Sequence, residues 1–422
     1  MRGKAIHING IVQGVGFRPF VYNLALRHGL AGWVRNTSEG VDIRVDGSVN
    51  QLEQFIQALN AEAPPLAHID ALIVRDCSPE AFTKFEIRHS EKVQGAAQPV
   101  SPDIAICEDC VRELRTPDDP RYRYPFINCT NCGPRFTLIQ DIPYDRPMTT
   151  MADFAMCTAC AGEYADPLDR RFHAQPIACA SCGPHVWLET AGNRLDGDPA
   201  IAGTITLLKQ GSIVAIKGLG GFHIACDATN PSAVATLRQR KHRADKPFAL
   251  MMGDIDQIKA YCHVSSAEAA LLQSPAAPIV LLDRRNQGAM QPAIAATVAP
   301  NQRTFGVMLP YTPLHLLLFD GTMPPLIMTS GNLVDEPIVT KNMAAREQLA
   351  TLADAFLMHN RDIHIRTDDS VMRLWRGVDL PLRRSRGYVP FPIRLPVKLP
   401  PILAVGGEMK NTFCITRGGY AF

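Results

Sequence analysis

Eight of the chain's twelve cysteines fall between Cys107 and Cys182 as four C-x-x-C pairs: Cys107/Cys110, Cys129/Cys132, Cys157/Cys160 and Cys179/Cys182. A C-x-x-C turn delivers two thiolates to one side of a metal ion, and zinc takes four soft ligands in a tetrahedron. Adding fifty to each position in the first two pairs gives the last two. The text repeats as well, since C-T-N-C-G-P-R-F at 129–136 returns as C-A-S-C-G-P-H-V at 179–186. The stretch reads as a duplicated module holding two structural zinc ions, each closed by four thiolates with no open catalytic position. A disulfide framework or a thioredoxin-type redox pair fits less well, because doublets at a fixed repeat are what metal needs. Adjacent and interleaved pairings of the doublets satisfy the spacing equally. His173 and His185 sit near the last two pairs and read as exposed polar side chains, since four thiolates per half are already available.

Two other groupings could do chemistry. Gln13-Gly14-Val15-Gly16-Phe17-Arg18 follows an alternating strand and precedes a helix, so its backbone N–H groups can crowd round an anion while Arg18 forks onto phosphoryl oxygens. A Gly-rich turn alone marks only a tight corner. Further on, Lys217, Gly220, Gly221 and His223 form a strand-to-loop segment, and Lys241, Arg243 and Lys246 with Arg240 make a cationic cluster. Such a run is usually a solvated helix end. Facing a glycine loop and the strand end carrying Ser330 and Asn332, it is also what a nucleotide triphosphate asks for.

The elements that must position these groups can be outlined. Residues 1–90 read β-α-β-β-α-β, with strands near 5–12, 32–36, 41–46, 69–77 and 82–88 and helices near 20–28 and 49–59. Residues 91–103 form a polar linker, 104–190 the metal module, and 192–199 a turn-rich join. Residues 200–390 read as an α/β domain, with helices at 200–210 and 233–242 and strands at 212–217, 248–252, 279–282 and 326–329. A proline-stiffened linker and the first strands of another unit fill 391–422. Net charge is +2 in 422 residues, which gives no electrostatic case for nucleic acid or a membrane surface. No apolar run approaches a membrane span. The remaining cysteines are scattered and unpaired, which with the thiolate array argues for the reducing cytoplasm.

Three stretches resemble known families. Residues 10–18 with 32–36 and Gly40 look like an acylphosphatase domain of the ferredoxin-like fold, which implies that the loop and Arg18 hold an acyl phosphate while Asn36 orients the attacking water. Residues 214–228, the K-H-R and K-P motifs, T-S-G-N at 329–332 and D-D-S-V at 368–371 resemble the YrdC family, a twisted α/β sheet that adenylates a carbamoylated amino acid. The segment from Lys217 to His223 departs from that family's Pro-Thr-Glu-Thr-Val-Tyr-Gly, which implies a smaller acyl donor such as carbamate. The order acylphosphatase, duplicated finger, YrdC-like domain, then V-G-G-E-M-K-N-T-F, resembles the HypF carbamoyltransferases of [NiFe]-hydrogenase maturation. That resemblance implies carbamoyl phosphate and ATP with Mg as substrates, carbamoyl-AMP as intermediate and HypE as acceptor protein. It also implies an actin/Hsp70-like C-terminal domain of which only the start is present. An enclosed route from Arg18 to the 217–223 loop is expected, because free carbamate is short-lived. The alternatives are a zinc-containing RNA-binding protein of YrdC type and a small-molecule O-carbamoyltransferase.

Overall fold

The computed structural model describes residues 1–422 apart from 38, 65, 91–99, 287–291, 320, 398, 407–412 and 418. Most of the expected 91–103 linker, and Gly407, Glu408 and Asn411 of the C-terminal turn, lie outside the described residues. The first unit runs β1 (Arg2–Ile11), α1 (Phe17–Arg27), β2 (Ala31–Thr37), β3 (Gly40–Gly47), α2 (Val49–Ala61), β4 (His68–Cys77) and β5 (Phe85–Ile87). The sheet order is β4-β1-β3-β2-β5, antiparallel except where β5 joins β2. Alternation in β3 buries Val41, Ile43 and Val45 against Val21 and Leu24 of α1 and Phe55 and Leu59 of α2. Each such side chain contributes about 1.5–3 kcal/mol by leaving water. A capping box between Ser48 and Gln51 starts α2.

In the metal module, α3 (Glu108–Arg115) and α4 (Thr158–Ala165) each begin at the residue after the first cysteine of a repeat. The two halves clasp each other reciprocally. Arg121 donates through Nε to Ala178 O at 2.9 Å and pairs with Glu163, while Arg171 donates to Asn128 O at 3.3 Å and pairs with Glu113. Every partner is again offset by fifty, so the duplication in the text is a pseudo-two-fold in space. Both arginines are buried, and a buried guanidinium that keeps its carboxylate is a strong, geometry-specific fastener.

The third unit adds β6 (Val186–Thr190), β7 (Asn193–Asp196), α5 (Asp198–Lys209), β8 (Val214–Lys217), β9 (Phe222–Asp227), α6 (Pro231–Arg240) and β10 (Ala249–Met251). It continues with α7 (Ile255–Tyr261), α8 (Ser266–Leu272), β11 (Ile279–Asp283), β12 (Thr304–Met308), α9 (Pro313–Leu318) and β13 (Leu326–Ser330). It closes with α10 (Asn342–Gln348), β14 (Ala355–His359), β15 (Val371–Trp375) and β16 (Val378–Arg383). These strands make one sheet of eleven, ordered β16-β15-β11-β12-β10-β13-β9-β8-β14-β6-β7. The helices expected at 200–210 and 233–242 are α5 and α6. Where a turn-rich join was expected after the second knuckle, the β6–β7 hairpin pairs with β14 instead. Residues 393–421 contribute four short strands with Leu403, Val405 and Phe413 exposed. Among the described residues no helix is long and apolar enough to cross a membrane.

Candidate functional sites

Cys107, Cys110, Cys129 and Cys132 converge in one cluster, and Cys157, Cys160, Cys179 and Cys182 in a second. Adjacent pairs therefore share a site, which the spacing alone left open. Three of the sulfur–sulfur separations are 3.5–3.8 Å in the first cluster and three are 3.7 Å in the second, with all sulfurs of a cluster within 4.8 Å of one another. A tetrahedron with metal–sulfur bonds of about 2.3 Å has edges of about 3.8 Å, so both clusters fit zinc. Disulfide bonds, at about 2.05 Å, do not fit. Arg170 donates to Cys110 Sγ at 3.1 Å and Arg121 to Cys160 Sγ at 3.4 Å, cations suited to holding thiolates. Both histidines lie outside the clusters; His185 is exposed, but His173 is half-buried and lines the cavity at the Arg18 loop, so it is not the exposed side chain expected.

The Gln13–Phe17 loop is shaped by its glycines, since Gly14 and Gly16 take φ of 73° and 74°, a region closed to most side chains. Val15 and Phe17 turn into the core. Among the described residues the N–H groups of Gly14, Val15 and Gly16 have no acceptor, as an anion cradle requires. Gln13 braces the loop, donating to Thr37 O at 2.7 Å and Gly40 O at 3.0 Å. Arg18 opens α1 and Asn36 lies on β2; with the amide turned to satisfy both groups, its oxygen accepts from Arg18 Nε and Nη2, each at 3.2 Å.

Sequence reasoning missed the other wall of this site. The metal module closes over the loop, lining a cavity of about 20 Å³ with Thr130, Arg135, Tyr144 and His173. Arg18 pairs with Asp145 of that module at 2.9 Å. Arg135, 1% exposed, uses all five N–H groups on carbonyls: Nε to Gly14 O at 2.7 Å, the rest to Cys129, Thr130, Cys132 and Pro134. It fastens the first knuckle to the phosphate-type loop. Its counterpart fifty residues on is His185, so only one knuckle carries this fastener; that asymmetry is visible in the text. Burial pushes His173 down to about 4, with Arg18 adding to the effect.

The residues singled out in the third unit separate into groups. Arg243, Lys246 and Ser330 line a cleft of about 240 Å³ with Thr329, Asp368 and Arg383. Arg243 donates to Thr329 Oγ1 at 3.0 Å and lies 4.5 Å from the Phe248 ring centroid; burial pushes it down to about 10. Lys241 stands behind the cleft, its Nζ donating to Ser330 O at 2.7 Å and Asn332 O at 3.0 Å. Asn332 accepts from Ser330 Oγ at 2.7 Å and donates to Leu333 O and Glu336 O, so it folds the loop. His223 pairs with Asp369 at 3.0 Å, and Asp369 with Arg386 at 2.9 Å. Burial alone would raise the Asp369 carboxyl, but Arg386 and His223 hold it well below the usual carboxylate range. A Cβ on Gly220 would meet Thr367 O at 2.3 Å, and one on Gly221 would meet Ile338 at 2.2 Å. The missing side chains therefore admit protein at those two positions. Lys217 points to a different cavity, between this unit and the first knuckle.

The acylphosphatase family model matches residues 4–87, the HypF finger model 106–139 and 156–189, and the model described as telomere recombination 206–385. Carbamoyltransferase HypF2 of Cupriavidus necator is 49% identical over 99% of the chain and 54% of its own length. Carbamoyltransferase HypF of Synechocystis is 48% identical over 100% of the chain and 55% of its own length. The crystal structure of full-length HypF in the phosphate- and nucleotide-bound form superposes with a TM-score of 0.95 at 50% identity, covering 100% of this chain and 55% of that one. The chain spans about half the length of the curated relatives it matches.

Proposed function

The chain belongs to the HypF family, and on that premise we propose that it performs the first two steps of a carbamoyl relay, in the cytoplasm. Carbamoyl phosphate binds with its phosphoryl group on the Gly14–Gly16 N–H groups and Arg18. Water held by Asn36 attacks phosphorus, the P–O bond to the acyl group breaks, and phosphate and carbamate leave. Positioning and charge neutralisation suffice, because the leaving group is a good one. Carbamate oxygen then attacks the α-phosphorus of Mg-bound ATP in the cleft, giving carbamoyl-AMP and pyrophosphate. Arg243, Lys246 and Arg383 neutralise phosphate charge there. Lys241 and Asn332 set the loop that presents Ser330, and the His223–Asp369 pair braces the wall. Two zinc ions in the cysteine clusters stiffen the spacer and take no part in the reaction. Transfer onto the C-terminal cysteine of HypE belongs to the function of the whole family protein, of which this chain represents about half.

The observation that carries this reading is that the first knuckle closes over the Arg18–Asn36 anion loop and also walls a cavity with Lys217 of the unit that bears the cationic cleft. Cavities run along that knuckle: one shares Gln13, Gly14, Arg135 and Tyr144 with the Arg18 site, and another is lined by Gly133 and Pro134 together with Lys217. The test is ATP/pyrophosphate exchange on this chain with and without carbamoyl phosphate. Exchange that depends on carbamoyl phosphate supports the relay; exchange absent in both conditions, with zinc bound and the fold intact, removes the adenylation step.

A further inference from the structure

The cavity beside the first knuckle has a volume of about 30 Å³ and is walled by Ile127, Gly133 and Pro134 on one side and Gly218, Leu219 and Tyr311 on the other. Lys217 and Arg361 also line it. Lys217 is 1% exposed, and its Nζ donates to one carbonyl, His359 O, at 3.1 Å. Arg361 is 8% exposed, with its guanidinium 5.0 Å from the centroid of Phe126. Among the described residues neither cation forms an ion pair. Asp362 is taken by Lys341 at 2.8 Å; Asp103 accepts from Arg135 N, Thr137 N and Thr137 Oγ1 through Oδ1 alone, and its carboxylate, with a buried Oδ2 that has no hydrogen-bond partner, acts on Arg361 only at a distance. His359, also lining the cavity, has a buried Nδ1 with no partner.

Two buried cations with no carboxylate in ion-pair contact cost several kcal/mol each in lost hydration. A packing role would be served more cheaply by leucine or methionine at both positions. Burial pushes Lys217 down to about 7 and Arg361 down to about 10, outweighing the upward pull of Asp362 on the first and Asp103 on the second, as expected of cations with no carboxylate in contact. The volume admits two or three groups of water size. That suits one carbon bearing two or three heavy atoms, and is too small for an amino acid or a nucleotide.

We propose that this chamber is a binding site for a small planar monoanion of the carbamate type, its oxygens held by Lys217 and Arg361, while His359 Nδ1, an acceptor because Nε2 donates to Gly218 O, takes a hydrogen bond from the carbamate N–H. Naming carbamate as the occupant rests on the relay proposed above; the anion site itself rests on the geometry. Arg361 supplies a charge that the Lys217–His223 segment lacks, and the knuckle residues set the size limit. The chamber thereby selects a one-carbon acid, shields it from water and keeps it beside the sheet that carries the cleft.

The probes are bromide, nitrate (a stable planar monoanion) and bicarbonate. In crystals of the wild-type chain soaked with bromide or nitrate, density is expected within about 3 Å of both Lys217 Nζ and the Arg361 guanidinium. Occupation at Arg18 with only water in the chamber overturns the proposal. In solution, ¹³C-bicarbonate affinity measured by NMR line broadening should fall at least tenfold in Lys217→Met and likewise in Arg361→Met. The second variant carries the test if the first does not fold. Unchanged affinity in both variants, or an equal loss in Arg18→Ala, places the anion elsewhere and overturns it. Failure of carbamoyl-phosphate-dependent exchange in the wild type would strike the relay and leave the soaking result to decide the chamber.

Discussion

At the residue scale, the phosphate-type loop concentrates its function in one side chain. The Arg18 guanidinium meets Asn36, and Asp145 engages it from the metal module. Arg18→Ala should lower phosphate release from carbamoyl phosphate at least a hundredfold, the scale of losing a preorganised anion contact. Zinc content by atomic emission should stay the same, and a loss under tenfold would remove Arg18 from the chemistry. His173 gives a pH prediction. Its folded value, about 4, lies below the unfolded value of about 6.5. Between those limits the unfolded chain binds the extra proton, so stability is lost as pH falls from about 6.5 towards 4, at up to about 1.4 kcal/mol per pH unit. Denaturant titrations of wild type and His173→Gln should converge as pH drops. Parallel curves would mean that the imidazole takes up its proton as readily in the folded state.

At the scale of elements, the metal module is a clasp. The apolar core of its second half is small, Ala174 and Ile177 beside Cys160, so thiolate–metal bonds must supply much of that half's stability, whereas Phe126, Ile127 and Leu138 of the first half join the large core shared with the third unit. Cys129→Ser should lower bound zinc from two to one per chain, with the second cluster retained; loss of both would mean that the repeats bind as one unit. Arg135 joins the clasp to the loop, and Arg135→Lys keeps the charge while losing the fork. Left with unpaired buried carbonyls, that variant should lose about 3–5 kcal/mol, read from denaturant midpoints. A loss below 1 kcal/mol would show that water replaces the guanidinium.

Much of this scale was legible in the sequence. A repeat at fifty announces itself in letters, and the β-α-β-β-α-β order follows from period-two and period-3.6 patterns. The β6–β7 hairpin was not legible, because Val186–Asp196 follows the last knuckle with a glycine turn and pairs only through β14, some 170 residues later in the chain. Nor was the Arg18–Asp145 pair, which joins side chains 127 positions apart. Periodicity carries no record of such a contact. The basic run at 240–246 shows the limit of motif reading: its residue types suit phosphate, yet Lys241 turns its ammonium to two carbonyls, and of this run Arg243 and Lys246 line the cleft.

At the scale of the whole molecule, the proposed relay turns on whether carbamate would travel inside or escape between steps. Free carbamate decomposes quickly, so a relay through bulk water would waste carbamoyl phosphate, whereas passage along the first knuckle would keep the acid enclosed. Leu219 is 5% exposed and sits in the chamber wall opposite Pro134. Leu219→Trp adds bulk where the volume admits only a one-carbon acid, so it should plug the path without touching Arg18 or the cleft. In the wild type, pyrophosphate should appear in a ratio to phosphate approaching one, because each carbamate released at the loop reaches ATP. With the plug, carbamate must leave to solvent, and the ratio should fall at least fivefold. Simultaneous measurement of both products decides it: a ratio unchanged in a variant whose bulk is seen filling the chamber would mean that carbamate reaches the cleft through solvent, and the knuckle would be a spacer with no passage along it.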